Sequence, residues 1–174
     1  MDMIILLVTG IFSRILPHLP NATAIGASAI LSGKRLSVKD GLIVTFASML
    51  ITDSIFGFHD VMWAVYGSFA ISVVLGRTLG RKGVLGLGAA GVSSSVLFYV
   101  VTNTAVWMSP VSAYTKDSAG YVACMAAGIP FFRSMLIGDL IYLGGLSIIL
   151  HWTQKFSFGK VCSSWTKISA RMGI

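Results

Sequence analysis

Within the apolar run GIPFFRSMLIGDLIYLGGLSIILHW, residues 128–152 of a 174-residue chain, stand an arginine, Arg133, and an aspartate, Asp139. In hydrocarbon each charge costs about 2.5–3.5 kcal/mol on insertion scales, so neither is expected to face lipid. On a helix their spacing gives about 9 Å of rise and about 240° of rotation, too far round for them to pair with each other. Partners must come from another segment or from a ligand. Asp53 or Asp60 would suit Arg133, and Arg14 or His59 would suit Asp139. A guanidinium also grips a carboxylate or phosphate through two parallel hydrogen bonds. Asp139, one turn from Tyr142, would accept from an amine or a ring N–H. The chemistry on offer is recognition of a small polar ligand.

Two further groupings have suitable spacing. Ser95, Tyr99, Asn103 and Trp107 recur at intervals of four and form one slanting helical stripe. His59, Trp63 and Tyr66 share a face of another segment. Flat apolar side chains with polar tips can stack a ring and fix its edges. The alternative is packing, because small polar residues bond helices together in membranes and Trp and Tyr mark the interfaces. Convergence with the charged residues favours a site.

Catalytic patterns do not assemble. GLGAAG, residues 86–91, has the letters of a dinucleotide loop, but no strand precedes it and no acidic residue lies between Asp60 and Asp117. His18, His59 and Asp53 carry no HxxxH or HExxH spacing, so neither a metal nor a cofactor is expected. No Ser/His/Asp set is formed by spacing, and no acidic pair of the kind a lipid-modifying enzyme needs is present. The expectation is a protein that is not an enzyme.

These residues must be positioned by an unusual composition, 55% hydrophobic and only 11% charged. Ordinary soluble domains carry about 25% charged residues, so the chain reads as an all-α integral membrane protein. Six short transmembrane helices are expected, at residues 3–16, 20–33, 38–56, 60–80, 84–107 and 131–152, packed as one compact bundle. A span needs about 20 residues, which the last four approach or exceed and the first two do not. Residues 118–128 read as a short outer cap ending before Pro130. The N-terminus, without a basic lead or a small-residue cleavage site, reads as a retained helix. Residues 1–153 form a single transmembrane domain and 154–174 a basic tail.

The net charge of +7 reports topology and not nucleic acid. Lys34, Arg35 and Lys39 occupy one loop, Arg77, Arg81 and Lys82 another, and Lys155, Lys160, Lys167 and Arg171 the tail. Successive groups are two helices apart, so all three fall on one side, the cytoplasm by the positive-inside rule. The tail, with Phe158 and Trp165, either lies along anionic membrane lipids or is solvated. Asp2 inside and Arg14 outside run against the rule locally. Cys124 and Cys162 fall on opposite sides by this topology, so a disulfide between them is not expected. The other end collects Arg14, His18, Asn21, Asp53, His59, Asp60, Trp63, Tyr66, Tyr99, Asn103, Trp107, Tyr114 and Arg133, with Asp139 and Tyr142 deeper. Ala22, Gly26, Ala29 and Gly33 give the second helix a small face for close contact, within the bundle or against a partner.

The segments LPHLPNATAIGASAI, TDSIFGFHDVMWAVYGSF, VTNTAVW and IPFFRSMLIGDLIY resemble a family of small, uncharacterised bacterial membrane proteins over residues 14–146. More distantly the pattern is similar to the substrate-binding S components of energy-coupling factor (ECF) vitamin transporters. The shared features are six short helices, a Pro-rich first outer loop and the progression Gly33, Gly41, Asp53 around a basic loop. That resemblance implies a subunit of the bacterial inner membrane with a cytoplasmic C-terminus. It would capture a vitamin, nucleobase or related metabolite at its outer face. A transmembrane scaffold and ATPase subunits would come from other chains, consistent with the lack of a GxxxxGK[ST] loop here. The first helix has no AxxxA docking pattern, so the small face of the second would substitute. A structural or accessory membrane subunit, its charges serving only to lock helices, is the competing expectation.

Overall fold

The computed structural model describes residues 1–172, with side chains over residues 1–155. It contains six helices: α1 Asp2–Ile15, α2 Ile25–Arg35, α3 Val38–Phe56, α4 Met62–Thr78, α5 Gly83–Met108 and α6 Ser118–Met172. Local signals explain the breaks. Asn21, at φ 61°, turns the chain after Pro20, and Ala22 N–H closes that turn on the Leu19 carbonyl at 2.9 Å. The Ser37 hydroxyl caps α3 by accepting from Asp40 N–H at 3.1 Å. Gly57, at φ 98°, ends α3 in a conformation that suits a residue without a Cβ. Ahead of α6, Asp117 accepts from Gly120 N–H at 2.7 Å and from the Thr115 hydroxyl at 2.8 Å. These bonds to its charged form hold the Asp117 carboxyl below the usual carboxylate range.

One expected break is absent. Residues 118–128 are not a separate cap but the first turns of α6, which runs on through Pro130. Proline removes one backbone donor, and such a loss is tolerated where neighbouring helices shield the freed carbonyl. The side chains of Phe158, Lys160, Cys162, Trp165, Lys167 and Arg171 lie outside the described residues.

The bundle is organised around its shortest helix. Every residue of α2 from Ile25 to Gly33 is buried, and α2 packs against all five other helices. Small residues make this possible. A Cβ on Gly33 would strike the Val73 backbone carbonyl, and one on Gly76 would strike the backbone of Ile30. The α2 and α4 backbones therefore cross with no side chain between them. Around the C-terminal half of α2 lies the larger core, with Leu6, Ile30, Leu31, Val44, Leu143 and Leu150. Beside its N-terminal half is a smaller one of Ile25, Met49, Phe69 and Met135.

The interior is also rich in hydroxyls. Ser32, Thr45, Ser48, Thr52, Ser68, Ser72, Ser94 and Ser95 are buried. Several bond the carbonyl one turn back, as Thr45 does to Gly41 at 2.8 Å and Ser68 to Ala64 at 2.7 Å. Ser72 and Ser94 join α4 to α5 at 2.6 Å. The outside is the reverse, with Ile4, Val8 and Phe12 on α1, Leu50 and Ile55 on α3, Val74 on α4, Val96 on α5, and Ile141 and Ile148 on α6 exposed. Two helical stretches, Gly83–Met108 and Ser118–Lys155, are long and apolar enough to cross a membrane.

The α2–α4 crossing yields a paired expectation. Gly76→Val should lower stability by about 3 kcal/mol or prevent folding, because overpacking there meets backbone. Gly67→Ala, where a Cβ meets nothing within 4 Å, should be neutral or stabilise by up to about 1 kcal/mol. Thermal unfolding in detergent checks both, and equal sensitivity at the two positions would contradict the crossing.

Candidate functional site

At the end of the bundle opposite the basic loops lies a cavity of about 200 Å³. All six helices reach it: Arg14 from α1, Ile25 and Gly26 from α2, Met49 from α3, Val65 and Phe69 from α4, Phe98 from α5, and Met135 and Asp139 from α6. His18, Asn21, Thr23 and His59 complete it from the connecting loops. The ring of Phe98 lies 5.0 Å from that of Phe69, tilted by 40°, so the wall is partly aromatic.

Arg14 is held in place on one side. Its Nη1 donates to Asp53 Oδ1 at 2.8 Å, to Thr52 Oγ1 at 2.7 Å and to Met49 Sδ at 3.2 Å. Asp53 is 1% exposed and accepts from the Tyr66 hydroxyl at 2.8 Å through its other oxygen. A buried carboxylate with one cation and one neutral donor is well satisfied. The expected pairing of Asp53 with Arg133 does not form. Arg14 takes that place, while Arg133 stands on the exposed face of α6 and does not line the cavity.

Asp139 is on the other side, 1% exposed, and accepts from Ser95 Oγ at 2.8 Å. It sits against the first turn of α2. A Cβ on Gly26 would collide with its carboxylate, and the Ala27 backbone N–H faces it. The first N–H groups of any helix lack partners within the helix, and α2 has no side-chain cap of its own. Asp139 therefore acts as a borrowed cap, its carboxyl placed at the positive end of the helix dipole. Ser13 does related work three residues earlier, accepting from Ala24 N–H at 2.9 Å. Among the described residues neither Arg14 nor His59 forms an ion pair with Asp139.

The other residues singled out by sequence are placed elsewhere. The stripe on α5 is a seam to α6: Ser95 meets Asp139, the Tyr99 hydroxyl donates to the Met125 carbonyl at 2.6 Å, Asn103 fills the space left by Gly128, and Trp107 packs edge-on to Tyr121 at 5.3 Å. Asn21, Tyr99 and Asn103 border a small cleft next to the cavity. Trp63 is 65% exposed. Asp60 and Tyr114 line a separate surface groove. Tyr142 packs on the larger core, away from the site.

The apolar wall was not anticipated from sequence, although a signal existed. Met49 precedes Asp53 by four residues and Met135 precedes Asp139 by four, while Phe69 follows Tyr66 by three and Phe98 follows Ser95 by three. One helical turn thus separates each wall residue from a polar residue of the same interior face. Among the described residues no group of three or more His, Cys, Asp or Glu is placed to hold a metal ion.

The Arg14–Asp53 pair gives a direct test of the buried network. Arg14→Met should cost about 3 kcal/mol, because a buried carboxylate loses its cation. Adding Asp53→Asn should return at least half of that loss, since the charge is gone and the amide carbonyl still accepts from Tyr66. Equilibrium unfolding in detergent measures the cycle, and simple additivity would contradict the pairing.

No curated protein and no solved structure matches the chain. A family model matches over residues 1–160, and on that extent the chain belongs to a family of unknown function, DUF6580.

Proposed function

We propose that this protein is a multi-pass subunit of the bacterial inner membrane that captures a small vitamin-like, nucleobase-like or related metabolite from the outer face, in the manner of an ECF S component. The observation that carries the reading is the cavity itself. It is bordered by all six helices, and charged and imidazole groups meet an aromatic and thioether wall within it. Pockets that bind small molecules combine these features.

The membrane setting is supported by the reversed polarity of the bundle, large apolar side chains outside and hydroxyls inside. It is supported too by the two helices of spanning length and apolarity. The remaining helices would cross as shorter partners, with their ends shielded by the bundle. Basic side chains collect at the end away from the cavity, where Arg35 approaches both Asp2 at 3.5 Å and the Leu150 carbonyl at 3.4 Å. By the positive-inside rule that end is cytoplasmic, and the cavity opens outward. Transport would then require a scaffold and ATPases from other chains.

The second reading, a structural or accessory subunit, is favoured by one specific observation. Arg14 already has Asp53, and Asp139 already caps α2, so both have structural work without a ligand. Native mass spectrometry of the protein from mild detergent separates the two. Capture predicts a small mass retained by the wild type and lost in Phe98→Trp, which fills the cavity while the unfolding temperature stays near that of the wild type. A wild type that carries neither a small mass nor copurifying subunits would favour the structural role.

A further inference from the structure

We propose that the cavity takes a single-ring cation, a compound whose protonated amine or amidine N–H groups donate to Asp139. This rests on the capture reading above and names the class of ligand. Its basis is the balance of charge around the cavity. The Arg14 guanidinium is already matched by Asp53 at 2.8 Å. Asp139 has no Lys, Arg or His nitrogen within 4.0 Å among the described residues, and its side-chain donor is the neutral Ser95 hydroxyl. Arg133, the group on α6 suited to an anionic ligand, is exposed and outside the lining. The acidic group that lines the cavity without a basic partner is therefore Asp139, and at low dielectric a cation beside it is favoured and an anion disfavoured. His18 and His59 stand exposed at the mouth.

Size and wall chemistry narrow the class further. A volume of about 200 Å³ equals roughly seven waters at about 30 Å³ each, and it falls below the roughly 300–1,000 Å³ of drug-sized pockets. That accommodates one ring with a short substituent. Phe69 and Phe98 line the cavity with aromatic rings, a residue type whose quadrupole favours a cation, and Met49 and Met135 add polarizable thioethers that fit a flat apolar body.

Three single-ring probes of nearly equal shape test the class: benzamidine as the cation, benzamide as the neutral form and benzoate as the anion. Their binding to the wild type in lipid nanodiscs is measured by calorimetry and by the shift in unfolding temperature. Benzamidine should bind about tenfold more tightly than benzamide or better, a difference of about 1.4 kcal/mol, with benzoate weakest. That preference should vanish in Asp139→Asn. Should Asp139→Asn fail to fold, Met135→Trp fills the same cavity, and benzamidine binding that survives it would overturn the placement. Benzoate binding as tightly as benzamidine would overturn the cation class and leave the capture reading intact. No binding of any probe, with a retained small mass still seen by native mass spectrometry, would also overturn the class alone. No binding and no retained mass would overturn both.

Discussion

A helix packed against five others leaves the unpaired backbone groups at its ends little access to bulk water. α2 is in that position, and its first-turn amides have to be met by side chains from elsewhere. Ser13 of α1 meets the chain at Ala24, and Asp139 of α6 closes on the first turn, drawn in by the missing Cβ of Gly26. Much of the remaining architecture follows from that constraint. α2 must be narrow for five neighbours to reach it, so glycine, alanine and serine dominate it, and α4 meets it with Gly76. Asp139 in turn must be held, which Ser95 does from α5.

The same requirement explains why a cavity exists beside it. α2 begins at Ile25, after a turn at Pro20 and Asn21, and its first residues Ile25 and Gly26 line the cavity. Space is left above its first turn. Arg14 and Asp53 satisfy one wall, and Asp139 supplies the charge of the other. The group that caps the helix thereby also lines the cavity. Capping accounts for this carboxylate but not for the aromatic and thioether side chains that line the cavity with it.

Several features were legible in the sequence because they depend on local patterns. Apolar run length and loop basicity gave the six helical regions, and the chemical contrast between the two ends gave the site of the cavity. The small face of the second helix foretold its tight contacts. Asp139 was singled out by cost, a charge within an apolar run. Pairings were harder, because helix order in space is not written in spacing. Spacing suggested Asp53 for Arg133 and Arg14 for Asp139, whereas the packing of α1 on α3 sets Arg14 against Asp53. The two charges that ran against the topology rule, Asp2 and Arg14, each have an opposite partner, Arg35 and Asp53. Pro130 signalled a break, yet α6 continues through it. The wall residues were invisible as chemistry, since methionine and phenylalanine in an apolar helix carry no polar signal of their own.

Accessibility of the cavity floor from outside the cell is the most direct measurement. In a chain with Cys124→Ser and Cys162→Ser, Met135→Cys places a thiol in the cavity wall and Leu143→Cys places one in the larger core. Intact cells are treated with a small, membrane-impermeant cationic methanethiosulfonate reagent. An outward-opening cavity predicts modification of Met135→Cys in intact cells and none of Leu143→Cys. Modification of Met135→Cys only after the membrane is breached would contradict it.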